Sequence, residues 1–279
     1  MFDLGKGAVY HTAMKGAAGR RSRLVAAAVV LVLAAARVDA EAARFRPNGF
    51  ALGVVLGVDQ LRDDALVPFR WTGPLVGLSL GGDFSTDRIR HQPELSLSVA
   101  SAANHFGQGA LAADVAAAYR VFAKPLRLAG GGFEYGGLLF YRQHNALLYS
   151  WDDAHDYWLN GIGIGPALAW RRALSPRAAV GIEAAGSLIA FVSRPPAYRR
   201  NKQDRTEQIG FYFVENFQDL RASLPDRYQS ADVRAELEWR AGRGVLAAGY
   251  RLDLVRATWP APGIALLHGV WFRWCSGAR

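Results

Sequence analysis

The sequence predicts an all-β chain: an antiparallel up-and-down transmembrane β-barrel of about ten strands that follows an N-terminal signal peptide. Three observations predict it. From Phe50 onward apolar and polar residues alternate with a period of two, which marks strands with two unlike faces. No apolar run reaches the roughly 18 residues that a membrane-spanning helix needs. Aromatic residues recur near the same end of every second strand, as they do where strands cross a membrane interface.

The N-terminal 40 residues stand outside that pattern. Leu24 to Ala36 is a run of Leu, Val and Ala, preceded by Lys15, Arg20, Arg21 and Arg23 and followed by Val38-Asp39-Ala40. This is the order of a basic n-region, an apolar h-region and a small-residue cleavage site, and the run is too short to serve as an anchor. Residues 1–40 are therefore expected to be an N-terminal extension and cleaved signal peptide, and 41–279 one barrel domain. Arg20-Arg21 is a twin-arginine pair, but a barrel crosses the inner membrane unfolded, which favours the general secretory route.

The alternating runs are Phe50 to Asp59, Val76 to Phe84, Glu94 to Val99, Leu111 to Phe122, Leu126 to Tyr141, Ile162 to Trp170, Ala178 to Val192, Ala231 to Arg240, Leu246 to Val255 and Leu266 to Trp274. The eighth is the clearest: Ala231, Val233, Ala235, Leu237 and Trp239 share one face, and Asp232, Arg234, Glu236, Glu238 and Arg240 the other. Ala123-Lys124-Pro125, Ser175-Pro176-Arg177 and Gly242-Arg243-Gly244 read as tight turns. His144 to Tyr157 and Arg194 to Tyr228 read as two long surface loops, and an even strand number puts both termini on the short-turn rim.

Alternation alone also fits a soluble lipocalin-like barrel or a β-sandwich. The aromatic residues favour the membrane. Phe84, Tyr119, Trp170, Trp239 and Trp274 close the apolar faces of the five even-numbered strands and form a girdle, with Trp71, Trp158 and Tyr198 as candidates for the opposite belt. The other face carries Asp59, Glu94, Asp114, Arg120, Glu134, Glu183, Arg234, Glu236, Glu238, Arg251, Asp253 and Arg273, and is assigned to a polar lumen. Gly161, Gly163, Gly165, Ala167 and Ala169 leave room opposite for long charged side chains. Mixed signs in so narrow a barrel are expected to pair and fill it.

On this pattern residues 50–274 resemble the bacterial outer-membrane β-barrel superfamily, which implies residence in the outer membrane of a Gram-negative cell. Outer-membrane lipids, lipopolysaccharide and the barrel-assembly machinery are then the expected partners, with the protein a monomer. The chain ends in Trp274-Cys275-Ser276-Gly277-Ala278-Arg279, whereas that class commonly ends on an aromatic residue. Net charge is +9 for the whole chain; residues 1–40 hold six basic and two acidic residues, leaving +5 beyond them. A basic exported protein meets anionic headgroups rather than nucleic acid. The single cysteine, Cys275, excludes an internal disulfide and a cysteine-based zinc site.

Two constellations could carry chemistry. Asp152, Asp153, His155 and Asp156 are close in sequence and are the candidates for a catalytic or cation-binding site. They resemble the residue types of the omptins, ten-strand outer-membrane proteases that pair aspartates with an Asp-His couple, although there the acidic pairs come from opposite sides of the rim. Arg194, Arg199, Arg200, Lys202 and Arg205, followed by Gly210-Phe211-Tyr212-Phe213-Val214, suit contact with lipopolysaccharide phosphates. His91, His105, His144 and His268 show no ligand spacing, so no metal and no cofactor is expected. The expected role is a non-enzymatic barrel serving envelope structure, adhesion or partner binding. The alternatives are an omptin-like surface hydrolase or a narrow porin-like pore for small solutes.

Overall fold

A computed structural model describes residues 48–64, 67–86, 88–123, 132–150, 153–194, 220–259 and 262–277, without the side chains of 67–68, 148–150 and 153–156. The strands are β1 (Gly49–Asp63), β2 (Val67–Ser85), β3 (Ile89–Ala103), β4 (Gly109–Ala123), β5 (Gly132–Ser150), β6 (Asp153–Ser175), β7 (Ala178–Gly186), β8 (Ile189–Ser193), β9 (Arg221–Ser223), β10 (Tyr228–Ala241), β11 (Gly244–Ala257) and β12 (Gly263–Ser276). Every pairing is antiparallel. β1 joins β12 from Ala51↔Cys275 to Asp63↔Gly263, and β5 joins β6 from Gly132↔Arg171 to Ser150↔Asp153. Among the described residues ten strands close the barrel, with β8 and β9 as two short additions.

The additions arise where one strand breaks. β7 pairs with the lower half of β6 and with β10, while β8 pairs with Asn160–Ile164 of β6 and with β9. Between them Leu188 N–H donates to the Ile164 carbonyl and Ser187 N–H to the Ser230 carbonyl, both at 2.8 Å, so the extra residues keep their backbone groups bonded. The sequence run Ala178 to Val192 is thus β7 and β8 together.

The described ends Asn48 and Gly277, bonded to each other at 2.9 Å, lie on one rim with the facing ends of β2 and β3 and the connections 176–177 and 242–243. Gly242, at φ +60°, supplies the left-handed residue of the last of these turns. The opposite rim carries the β1–β2, β3–β4, β5–β6, β8–β9 and β11–β12 connections.

One expected surface loop is instead strand. His144 to Tyr157 continues β5 and β6 almost to the hairpin tip. The alternation goes on there, with Arg142, His144 and Ala146 inward, but Gln143 and Asn145 replace the apolar outer partners, and the loss of contrast reads as a loop. Arg194 begins the other long connection; residues 195–219, with Tyr198, the remaining cations of the basic cluster and the 210–214 aromatic stretch, lie outside the described residues, as do residues 1–47 and 124–131.

The faces are inverted relative to a water-soluble barrel. Leu52, Leu56, Leu78, Leu80, Leu95, Leu97, Leu139, Ile164, Leu246 and Val270 point outward and are exposed, whereas Asp59, Asp83, Arg90, Arg120, Glu134, Arg234, Glu238 and Arg273 are buried inside. Exposing that many aliphatic side chains on all sides is compatible with hydrocarbon, not with water. The chain is a transmembrane barrel. Because the ten barrel strands close into one ladder, with no edge among them for detergent to open, the protein in cold SDS is expected to stay folded and migrate anomalously until heated. Identical mobility before and after boiling would count against closure.

Candidate functional site

Among the described residues, the barrel interior is where many charged residues of distant strands meet. Near the termini, Arg90 of β3 donates to Asp83 (2.9 Å), to Glu134 of β5 (2.7 Å) and to Glu183 of β7 (2.9 Å), and its guanidinium lies 4.2 Å from the centroid of Phe122. Beside it Arg171 pairs with Glu238 (2.6 Å) and Arg273 with Glu236 (2.7 Å). Gln92 adds an amide donor to Glu183 at 3.1 Å.

At mid-height Glu94 is the hub. It accepts from Arg234 (2.6 Å), Arg251 (2.9 Å) and Arg120 (3.0 Å), which come from β10, β11 and β4. Arg120 and Arg234 also reach Asp232, at 2.8 and 3.1 Å, and Arg251 reaches Asp253 at 2.7 Å. The buried Trp271 packs among these cations, with Arg234 and Arg273 at 5.3 and 5.2 Å from its ring centroid, a distance at which the ring quadrupole attracts them.

Above this, Arg142 pairs with Asp114 (2.9 Å), and His144 stands 3.5 Å from the same carboxylate with Tyr157 packed edge-on against its ring. Asp59 is buried at this level too. The Tyr228 phenol crosses from β10 so closely to β6 that a Cβ on Gly161 would fall 2.7 Å from its hydroxyl, so the glycine there makes room for the ring. Leu61, Trp71 and Tyr157 close the interior toward the rim, and Arg194 pairs with Asp63 while donating to the Trp259 carbonyl at 2.8 Å. A void of about 20 Å³ bordered by Leu75, Ser96, Asp114, Arg251 and Asp253 has room for about one water molecule.

The residues assigned from sequence to the lumen, Asp59, Glu94, Asp114, Arg120, Glu134, Glu183, Arg234, Glu236, Glu238, Arg251, Asp253 and Arg273, all face this interior. Phe84, Tyr119, Trp239 and Trp274 are exposed on the outer wall near the termini, and Trp170 is half-buried there. Tyr119 is further fixed by its hydroxyl at 2.8 Å from His91 Nδ1. Trp71 is a correction: it points into the barrel and is buried, because its row on β2 shares a parity with Leu75 and Asp83. Trp158 keeps the outward parity of Ile162 and Ile164 on β6 but is buried, with its indole N–H toward Ser193 Oγ at 3.4 Å. Of the catalytic candidates, Asp153, His155 and Asp156 lie at the start of β6 and their side chains are outside the described ones; Asp152 is outside the described residues altogether.

Sequence reasoning missed Asp83, Arg90, Arg142, Arg171 and His144. Arg90 lies four residues before the expected third strand and Arg142 one residue after the expected fifth, and extending the alternation that far would have found them. Buried side-chain atoms without a hydrogen-bond partner include Asp59 Oδ1, Tyr157 Oη and His144 Nε2, while His144 Nδ1 has only the 3.5 Å approach to Asp114, which leaves polar capacity in the upper interior.

No family model and no curated protein matches the chain. Among solved structures it is similar to the β domain of the Bordetella autotransporter Brka at 12% identity, covering 83% of this chain and 100% of that one, with a TM-score of 0.42. It is also similar to an outer membrane channel from Pseudomonas putida F1, at 13% identity, 86% and 99% coverage and a TM-score of 0.36. The translocator domain of autotransporter NalP from Neisseria meningitidis matches at 9% identity, 95% and 96% coverage and a TM-score of 0.38. At such values the fold of this chain stands on its own strand pairing.

Proposed function

We propose that the protein is a non-enzymatic barrel of the bacterial outer membrane, exported through a cleaved signal peptide, that serves envelope structure, adhesion or partner binding rather than solute passage. The observation that carries this reading is the filled interior: Arg90, Glu94, Arg120, Glu183, Arg234, Arg251 and Arg273 reach across from different strands and occupy the axis in pairs. Both termini belong on the periplasmic side and the rim bearing Arg194 on the cell surface. Lipopolysaccharide, outer-membrane lipids and the assembly machinery are the partners this location supplies, and the monomer is self-sufficient because the ten barrel strands close on one another and leave only the three-residue β9 with an edge.

The test is electrical. Purified protein in planar bilayers is expected to show no steady conductance above background at moderate voltage, since an ion would have to displace several charge-assisted hydrogen bonds at each level. Regular single-channel steps in the unmodified protein would support the narrow-pore alternative instead. Release of peptide or lipid fragments, lost on Asp153→Ala or His155→Ala, would support the hydrolase.

A further inference from the structure

The outer wall breaks its own pattern at one place on the rim away from the termini. Across β2, β1, β12 and β11 one row of outward side chains reads Arg70, Arg62, Ile264 and Arg256, since Arg62 is opposite both Arg70 and Ile264, and Ile264 is opposite Arg256. All four are exposed. Two arginines facing each other directly across a ladder repel. Their local relief is partial: Arg62 Nε bonds Asp64 at 2.9 Å, whereas among the described residues Arg70 bonds the neutral amide oxygen of Gln60.

The row also lies at a telling height. Ile264 is ten residues up β12 from Trp274, and at about 3.3 Å per residue with a tilt near 40° this is about 25 Å along the membrane normal, the height of an apolar band. The arginines therefore stand at the headgroup level of the leaflet opposite the aromatic girdle. Beneath them the wall stays polar for several residues more. Tyr250 Oη lies 2.5 Å from His268 Nδ1, and His268 Nε2 lies 3.3 Å from the Gln60 amide nitrogen, so a hydrogen-bonding track descends from Arg70 along a face that is otherwise aliphatic.

We infer that Arg62, Arg70 and Arg256 form a docking site for the phosphate of a membrane lipid that carries further hydrogen-bonding groups just below that phosphate, as a phosphorylated, acylated amino-sugar does. A phosphate seated between Arg62 and Arg70 turns their repulsion into two charge-assisted contacts, and Arg256, two strands from Arg62 and so about 10 Å away, reaches a second anionic group of the same lipid. The carboxylate of Asp64 holds one arginine in place without neutralising the row. This rests on the membrane-spanning reading and on the assignment of this rim to the cell surface.

The experiment is lipid binding by native mass spectrometry on protein folded in dodecyl maltoside, with bisphosphorylated lipid A, the same lipid dephosphorylated, and phosphatidylglycerol as probes. Bisphosphorylated lipid A is expected to bind at least tenfold more weakly to Arg62→Gln/Arg70→Gln/Arg256→Gln than to the unmodified protein, and Arg177→Gln/Arg243→Gln at the other rim is expected to bind normally. The dephosphorylated lipid should behave like the triple variant. Equal capture of phosphatidylglycerol with the same dependence on the three arginines would assign the site to phospholipid phosphate. Arg70→Gln alone supplies a second readout: without lipid it should raise the urea midpoint by removing the repulsion, and with lipid it should forfeit the stabilisation that the unmodified protein gains. Wild-type affinity in a triple variant that still shows heat-modifiable mobility would overturn the site. Absence of heat-modifiable mobility in the unmodified protein would instead overturn the membrane barrel itself.

Discussion

Glu94→Leu is expected to be among the most damaging substitutions in the interior, lowering stability by about 3 to 5 kcal/mol. The reason is the number of cations that depend on one carboxylate. Arg120, Arg234 and Arg251 all donate to Glu94, and after its removal they share Asp232 and Asp253 alone. A shape-filling leucine cannot offset this, because the cost lies in the uncompensated guanidinium groups rather than in a cavity. The check is the urea midpoint of the barrel in lipid vesicles, followed by loss of heat-modifiable mobility. Glu94→Gln should lose less, since it retains an acceptor oxygen. Combining Glu94→Leu with Arg234→Met should recover part of the loss, because it removes one stranded cation together with its partner; strict additivity of the two changes would show that the residues are not coupled. A silent Glu94→Leu would mean that water, not this network, fills the centre.

How far the interior was legible depended on where each strand leaves the membrane. On β10 the contrast between Val233 and Arg234 or Leu237 and Glu236 is absolute, and the inner face could be read residue by residue. On β5 the apolar outer row runs to Tyr141, and the inward Arg142 and His144 then alternate with Gln143 and Asn145, so the pattern vanishes while the strand continues. Pairing could not be read at all. That Arg90 would meet Glu183, 93 positions away, follows only from closure of the barrel, because no local signal links β3 to β7. Trp71 shows the converse failure: an aromatic near the end of a strand suggests an interface belt, yet its parity with Leu75 turns it inward. The rim row of Arg62, Arg70 and Arg256 was hidden for the same reason, since three scattered arginines become neighbours only through the register of β1 with β2 and of β12 with both β1 and β11.

Val233→Arg is expected to block assembly outright or to leave only a small folded fraction, and it tests which face meets lipid. Val233 lies on the outer wall of β10, opposite Leu252 of β11 and Ala184 of β7, and six residues above Trp239. With the rise and tilt used above, that places it about 15 Å from the girdle and near the middle of the apolar band. An arginine there costs about 2 to 4 kcal/mol, less toward either interface, because its charge must leave water with no carboxylate in reach. Trp239→Arg, at the girdle, should be milder for that reason. Glu236→Gln is the counterpart on the inner face: Glu236 Oε1 accepts from Arg273 at 2.7 Å, and glutamine keeps that acceptor while losing the charge that strengthens the bond. Refolding into vesicles, scored as the fraction with heat-modifiable mobility, should therefore fall steeply for Val233→Arg and only slightly for Glu236→Gln. The opposite order would mean that Val233 sits inside and Glu236 outside, which would exchange the faces of the barrel and, with them, the lumen and the lipid site.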